Sequence, residues 1–418
     1  MGMTISEKIL ARAAGLPAVQ AGEIVNAKVD VAMMDDILGP RVEIAQKLEE
    51  LNAKVWDPSK VVVISDHYTP PANANQAEIV KFTREWSAKN GVENYYEFKG
   101  PCHQVMVERG HVTAGDIAIG TDSHTCAYGA VGAFSTGVGS TEMLGVLVTG
   151  EIWLRVPQTI RVEFNGAMPK GVMAKDLILR SIGTIGHAGA TYKALEFGGD
   201  TLRNMIMDER LCITNMAVEA GAKNGLIACD ETTVKYLESV GAKAPFMCDA
   251  DPDAVYLQKH IFNTEEMVPL CACPHEVDNV APISECKSRV DQIYIGSCTG
   301  GRYNDLKAAA ELLKGKKIAK GVRLLVSPAS AWIWERCARD GILSDLAEAG
   351  ATILASSCGA CLGVHSGAIG AGEVCVSSTN RNFLGRMGSK KANVYLASPL
   401  SAAACAITGE LTDPREFL

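Results

Sequence analysis

Ala355-Ser356-Ser357-Cys358-Gly359-Ala360-Cys361-Leu362-Gly363 is the stretch around which the fold can be read. It follows the β-type run Thr352-Ile353-Leu354, so both thiols sit where a strand ends and a turn begins. The arrangement occurs earlier too, where Ile293-Tyr294-Ile295 runs into Gly296-Ser297-Cys298-Thr299-Gly300-Gly301-Arg302. One lone Cys and one Cys-x-x-Cys, each just past the carboxyl end of a predicted strand, give three thiolates that one fold can bring together. Three thiolates are one fewer than a closed zinc or iron–sulfur site needs. A metal centre with an open position can bind and polarise a substrate.

Around these motifs the chain reads as regular βα alternation. Strands are predicted near 292–296, 322–326, 352–356 and 374–378, with helices near 304–314, 329–340 and 343–348. A third strand end carries Asn380-Arg381-Asn382-Phe383-Leu384-Gly385-Arg386. In an open parallel sheet such ends lie along one crevice, so the polar motifs should converge.

The same logic applies upstream. A strand over 25–34 ends at Asp35-Asp36, a helix covers 44–51, and the apolar run 61–64 delivers Ser65-Asp66-His67 into a loop closed by Pro70-Pro71. A continuous apolar run ending in a polar cluster marks a buried parallel strand, which favours a functional Asp/His pair over a surface accident. Gly100-Pro101-Cys102-His103-Gln104 precedes a helix, and Ile117-Ala118-Ile119-Gly120 runs into Thr121-Asp122-Ser123-His124-Thr125. The glycines between 129 and 139 lack the spacing of a dinucleotide fingerprint and suit close backbone packing before a helix over 140–153.

At Val156-Pro157 the composition shifts, a strand over 159–164 follows, and Glu219 lies on a small-residue segment. Cys271-Ala272-Cys273-Pro274-His275 superficially resembles a metal clip, but its spacing fits no closed zinc set and reads as ordinary buried thiols. The expected division is 1–156, 157–284 and 285–418.

With 418 residues, 47% hydrophobic content and 40 glycines, the chain suits a multi-domain α/β protein. A net charge of -8 with no basic run argues against nucleic acid or an anionic membrane as partner. No transmembrane run or secretory leader is visible, and 14 cysteines without a leader read as thiols in a reducing, cytoplasmic setting. Met1-Gly2-Met3-Thr4-Ile5-Ser6 fits a myristoylation pattern, while Thr4 with Glu7 makes a capping box; the helix start is the expected reading.

The motifs Gly120-Thr121-Asp122-Ser123-His124-Thr125, Gly296-Ser297-Cys298-Thr299, Cys358-Gly359-Ala360-Cys361-Leu362-Gly363 and Asn380-Arg381-Asn382-Phe383…Gly385-Arg386 together resemble the aconitase superfamily, over essentially the whole chain. Length and the opening helix resemble its branch of large subunits acting on alkyl-substituted malates, the 3-isopropylmalate dehydratase and homoaconitase type. The resemblance implies an α/β, aconitase-like three-domain core with parallel sheets, lacking the swivelling fourth domain. It implies a [4Fe-4S] cluster on Cys298, Cys358 and Cys361 with one open iron, and a hydro-lyase reaction on a small dicarboxylic or tricarboxylic hydroxy acid. Asp66 with His67, His103 with Asp122, and His124 with Glu219 match the family's catalytic pairs. Arg381 and Arg386 match its carboxylate-binding arginines, and Asn380 and Asp35 join them as substrate-binding candidates. His67 is the expected proton donor to the leaving hydroxide. The family's carbanion-forming base is a serine on the swivelling domain, so a separate small subunit is the expected partner. That branch also implies a place in branched-chain amino acid biosynthesis.

Three departures from the branch leave the substrate open between 3-isopropylmalate, 2,3-dimethylmalate and homocitrate. Asp35-Asp36 stands where Asn-Asp is usual, Gly300 where Asn is usual, and Ala360 where Pro is common. Two rival classes compete. A Cys358/Cys361 thiol oxidoreductase leaves Cys298 and the Asp/His pairs without purpose. A closed zinc module needs His365 as fourth ligand, a residue otherwise expected to line the crevice.

Overall fold

The computed structural model describes residues 2–418, which pack as two compact units, each assembled from separated pieces of the chain. One unit takes the chain to Glu97, then Cys102–Asn165 and Ala190–Phe262; the other takes Phe98–Pro101, Gly166–Gly189 and Asn263–Leu418. No helix among the described residues is long and apolar enough to cross a membrane.

The first unit is built on a five-stranded parallel sheet. From one edge to the other its strands are Asn94–Glu97, Val61–Ser65, Val31–Asp35, Ile117–Gly120 and Phe134–Gly137. Every residue of Val31–Asp35 and Val61–Ser65 is buried, as a sheet covered on both faces requires. The chain starts at the central strand, winds to one edge and then returns to fill the other side. Direction therefore reverses between Val31–Asp35 and Ile117–Gly120, which pair directly. At such a switch point the loops leave in opposite directions and open a crevice beyond the carboxyl ends.

The strand read over 25–34 is two strands. Ile24–Lys28 alternates exposed and buried and pairs antiparallel with Glu151–Arg155, whereas Val31–Asp35 belongs to the buried sheet. The helix read over 140–153 stops at Thr149, because Gly150 turns left-handed and sends the chain into Glu151–Arg155. A further sheet orders Asn224–Ile227, Ala194–Gly198, Thr159–Asn165 and Gln258–Asn263. Here the glycine-rich stretch packs backbone to backbone: a Cβ on Gly129 would lie 1.6 Å from the Gly225 carbonyl oxygen.

Helix Ile5–Ala14 starts with the expected capping box. The Glu7 N–H donates to Thr4 Oγ1 at 3.3 Å, and the Thr4 N–H to Glu7 Oε2 at 2.8 Å. The Ser6 N–H donates to Oε1 of the buried Glu196 at 3.1 Å, and the Tyr256 hydroxyl donates to its other oxygen at 3.2 Å. Burial pushes the Glu196 carboxyl up to about 7. A folded-state pKa above the unfolded one means that the fold holds the proton more tightly. The stability gained is fully present below the ordinary value of 4.5 and is lost as pH rises through about 7. Glu196→Gln should therefore flatten the fall of the melting temperature between about pH 4.5 and about pH 7, measured against wild type by calorimetry. Parallel curves would show that Glu196 does not titrate in that window.

The second unit holds a seven-stranded sheet in the order Val280–Pro282, Leu270–Ala272, Asn393–Ala397, Val374–Ser377, Gln292–Gly296, Arg323–Ser327 and Thr352–Ile353. Its last five members are parallel, and an antiparallel hairpin of the first two extends the edge. Strand Asn393–Ala397 was not anticipated from the sequence. Numbered from Gln292–Gly296, the five parallel strands repeat the spatial order of the five-stranded sheet in the first unit. Their switch point falls between Gln292–Gly296 and Val374–Ser377, the strands that lead to Cys298 and Asn380.

Candidate active-site groups

In the first unit, strand ends deliver carboxylates and imidazoles into one cluster of paired groups. Asp66 and His67 follow strand Val61–Ser65, and Asp66 Oδ1 lies 2.8 Å from His67 Nδ1. The other Asp66 oxygen accepts the Cys102 N–H at 2.7 Å, which fixes the carboxylate against helix Cys102–Glu108. With Nδ1 held by Asp66, the working atom of His67 is Nε2, 3.6 Å from Asp122 Oδ2. Asp122 is the hub. Its Oδ1 lies 3.0 Å from His103 Nε2, accepts the His124 N–H at 2.7 Å, and stands 3.4 Å from His124 Nδ1. His124 Nε2 in turn lies 2.7 Å from Glu219 Oε1. Burial works to raise the Asp122 carboxyl, but His103 and His124 prevail and hold it well below the usual carboxylate range. All three predicted pairs are thus formed, and Asp122 links them into one network.

In the second unit, Cys298 is the second residue of the short helix Ser297–Gly300, which starts directly at the end of strand Gln292–Gly296. Ser297 takes a left-handed φ of 72°, a costly conformation for a non-glycine residue, and it turns the chain sharply there. Cys358 precedes the turn Gly359–Leu362 and Cys361 lies within it. All three thiols are buried. The Asn380 side chain bridges two of them: its Nδ2 lies 3.7 Å from Cys298 Sγ, and its Oδ1 lies 3.7 Å from Cys361 Sγ and accepts the Ser297 hydroxyl at 3.1 Å. Burial and the neighbouring Cys361 push the Cys298 thiol up, and all three thiols add to the upward push on the buried Tyr294 hydroxyl. Arg386 reaches the same cluster, with Nη2 3.9 Å from Cys361 Sγ, while its buried Nε has no hydrogen-bond partner.

The aconitase family profile (aconitate hydratase) matches residues 7–289 and 285–409. The chain belongs to the aconitase family. Among curated relatives it is 49% identical to the 3-isopropylmalate dehydratase large subunit 1 of Methanopyrus kandleri, covering 100% of both chains. It is 46% identical to a probable 3-isopropylmalate dehydratase large subunit of Methanothermobacter thermautotrophicus, over 99% of both. A third relative is the 3-isopropylmalate dehydratase large subunit of Sulfurihydrogenibium sp., 45% identical over 100% of this chain and 97% of that one. The crystal structure of Thermococcus kodakaraensis aconitase X (holo-form) matches 90% of this chain and 88% of its own, with a TM-score of 0.51 and 14% identity, which speaks to the fold alone.

For this aconitase-family chain the departures at Asp35 and Gly300 have local explanations. Asp35 Oδ1 accepts the Ile37 and Leu38 N–H groups at 2.7 Å each, and Oδ2 accepts the Thr121 hydroxyl at 2.9 Å. The carboxylate is buried and committed to its own turn; burial raises its pKa to about 6 although His67 opposes the shift. At Gly300 a Cβ would come within 2.4 Å of the Ser378 side chain, so the close approach of that strand end demands glycine. His365, the fourth ligand of the rival zinc reading, has Nδ1 2.8 Å from Ser366 Oγ and Nε2 3.4 Å from Ser357 Oγ. Its ring also packs where a Gly359 Cβ would sit, 2.4 Å away. Arg381 is half-buried next to Asn380.

Two groups escaped the sequence reading. Asp36 accepts the His67 and Tyr68 N–H groups at 3.0 Å each and stands 3.4 Å from His67 Nδ1, so it shares the orienting role of Asp66. The Asp-Asp doublet at a strand end was the available signal. Cys286 joins Cys271 and Cys273 in a second group of three thiols, and no motif in the sequence marks it.

Proposed function

We propose that this chain is the large subunit of a two-protein hydro-lyase that dehydrates 3-isopropylmalate, with a [4Fe-4S] cluster on Cys298, Cys358 and Cys361. The carrying observation is the Asn380 amide spanning Cys298 and Cys361 beyond the switch point of a parallel sheet. The chemistry of the donors suits such a cluster: three buried thiols, and a guanidinium Nε beside them without a partner. When bound, the cluster would supply Lewis acidity toward the substrate's oxygens.

The chain's own residues supply the rest. Arg386, with an unused N–H, and Arg381 offer planar forks for substrate carboxylates, whose charge grows as the neighbouring carbon loses its proton. Hydroxide is a poor leaving group, so His67 donates a proton from Nε2, while Asp66 and Asp36 at Nδ1 stabilise the protonated ring and hold its plane. His103 and His124 keep Asp122 ionised, and Glu219 holds His124 in place. The family resemblance assigns the carbanion-forming base to a serine of the small partner, and the relatives' designation as large subunits supports a separate partner chain.

Mixing the anaerobically reconstituted chain with that partner should raise dehydration of 3-isopropylmalate by orders of magnitude over the chain alone, as restoring a catalytic group does. Comparing kcat/KM for 3-isopropylmalate, 2,3-dimethylmalate and homocitrate tests the substrate. Full-rate turnover by the chain alone would refute the two-protein reading, and a preference for another acid would refute the substrate assignment.

A further inference from the structure

We infer that Cys271, Cys273 and Cys286 form a second metal site, a three-thiolate seat for a single soft divalent cation of the zinc class. Cys271 lies on strand Leu270–Ala272, paired on both sides, with Ala281 on the edge hairpin and Ala397 on the next strand. Cys273, two residues on, points to the same face of the extended chain, and its N–H continues the ladder to the Asn279 carbonyl at 2.8 Å. Cys286 comes in from the end of the turn Ile283–Glu285. Its sulfur is 3.2 Å from that of Cys271 and 3.6 Å from that of Cys273, and all three lie within 4.8 Å of one another.

These spacings decide what the group suits. They exceed a sulfur–sulfur bond of about 2.05 Å, and all three cysteines are free. Sulfurs at about 2.3 Å from one tetrahedral zinc stand roughly 3.8 Å apart, so small outward shifts seat one ion among the three. Thiolates bound to three different irons of a cubane must stand farther apart than ligands of one ion, which leaves the cluster to Cys298, Cys358 and Cys361. Without a cation, neighbouring thiolates repel at this distance, and a divalent ion turns that repulsion into coordination. Cys271 is fully buried, whereas Cys273 and Cys286 are half-buried, leaving an entry path and room for a fourth, solvent-derived ligand.

The seat is tied to the candidate substrate loop. Asn382 Nδ2 donates to the Cys273 carbonyl at 2.8 Å, with the Ala272 and Glu276 carbonyls at 3.4 Å. Asn382 lies between Asn380 and Arg386, so an ion that fixes residues 271–286 also fixes the base of that loop.

The test is zinc and iron analysis of the reconstituted chain, with zinc-edge X-ray absorption. About one zinc per chain with three sulfur neighbours at about 2.3 Å is expected. Cys286→Ala and Cys273→Ala, the half-buried positions, should each lower zinc at least tenfold and leave iron content and the near-400 nm absorption unchanged. Those unchanged iron readouts separate this inference from the cluster assignment. The proposal is overturned by less than a tenth of a zinc per chain from zinc-supplemented cells, by a Cys271–Cys286 disulfide in the purified protein, or by loss of iron in place of zinc in the Cys286 variant.

Discussion

Replacing any one of Cys298, Cys358 and Cys361 by serine is expected to drop bound iron from about four per chain to background and to abolish dehydration. The reason is geometric as well as chemical. Cys298 follows one strand end, Cys358 and Cys361 share the turn after another, and the Asn380 amide sets the spacing of two of the three. A serine hydroxyl is a harder, weaker donor for iron than a thiolate. Cys271→Ser and Cys273→Ser should keep their iron, because those sulfurs sit too close together to hold separate irons. Iron and sulfide analysis after anaerobic reconstitution decides the matter. Normal iron in the Cys298 variant contradicts the ligand assignment.

Substituting His67 by alanine should lower kcat by roughly a hundredfold to ten-thousandfold while the iron content stays normal, the range expected for loss of a positioned general acid. Asp66→Asn should fall in the same direction. It replaces the acceptor at Nδ1 with a group of no charge and sets an amide against the Cys102 N–H, which disturbs the imidazole that Asp66 orients. His187→Ala, at an exposed imidazole paired with Asp278, is the matched control and should leave kcat unchanged. A His67 variant with full kcat, or one that loses its iron, would remove His67 from the proton-donor role.

The strand-end motifs were the legible part of the sequence, because a buried parallel strand announces itself as an apolar run and its functional end as the polar cluster that follows. Asp66-His67, Asp122 and Cys298 were readable in this way. Belonging to the aconitase family was readable from the same motifs, and the profile match and full-length relatives agree. What failed was context. The break at Val29-Asp30 is invisible locally, since both flanking runs are strand-like; Asp30 ends the first by accepting the Ile117 N–H at 2.9 Å. Gly150 was read through because an apolar run continued past it into Trp153. Asp35 reads as a substrate group by position, yet one of its oxygens closes a turn and the other accepts the Thr121 hydroxyl. Cys286 carries no motif because only the hairpin pairing of Leu270–Ala272 brings it to Cys271.

The most direct measurement is Mössbauer spectroscopy of the anaerobically reconstituted chain, prepared with iron-57 and titrated with 3-isopropylmalate. One iron of the four should change its signal on addition of the acid while the other three hold theirs, as a cluster with three protein thiolates and one open position requires. Four irons that all ignore the acid, or a chain that binds no cluster while Cys298, Cys358 and Cys361 are intact, would contradict it.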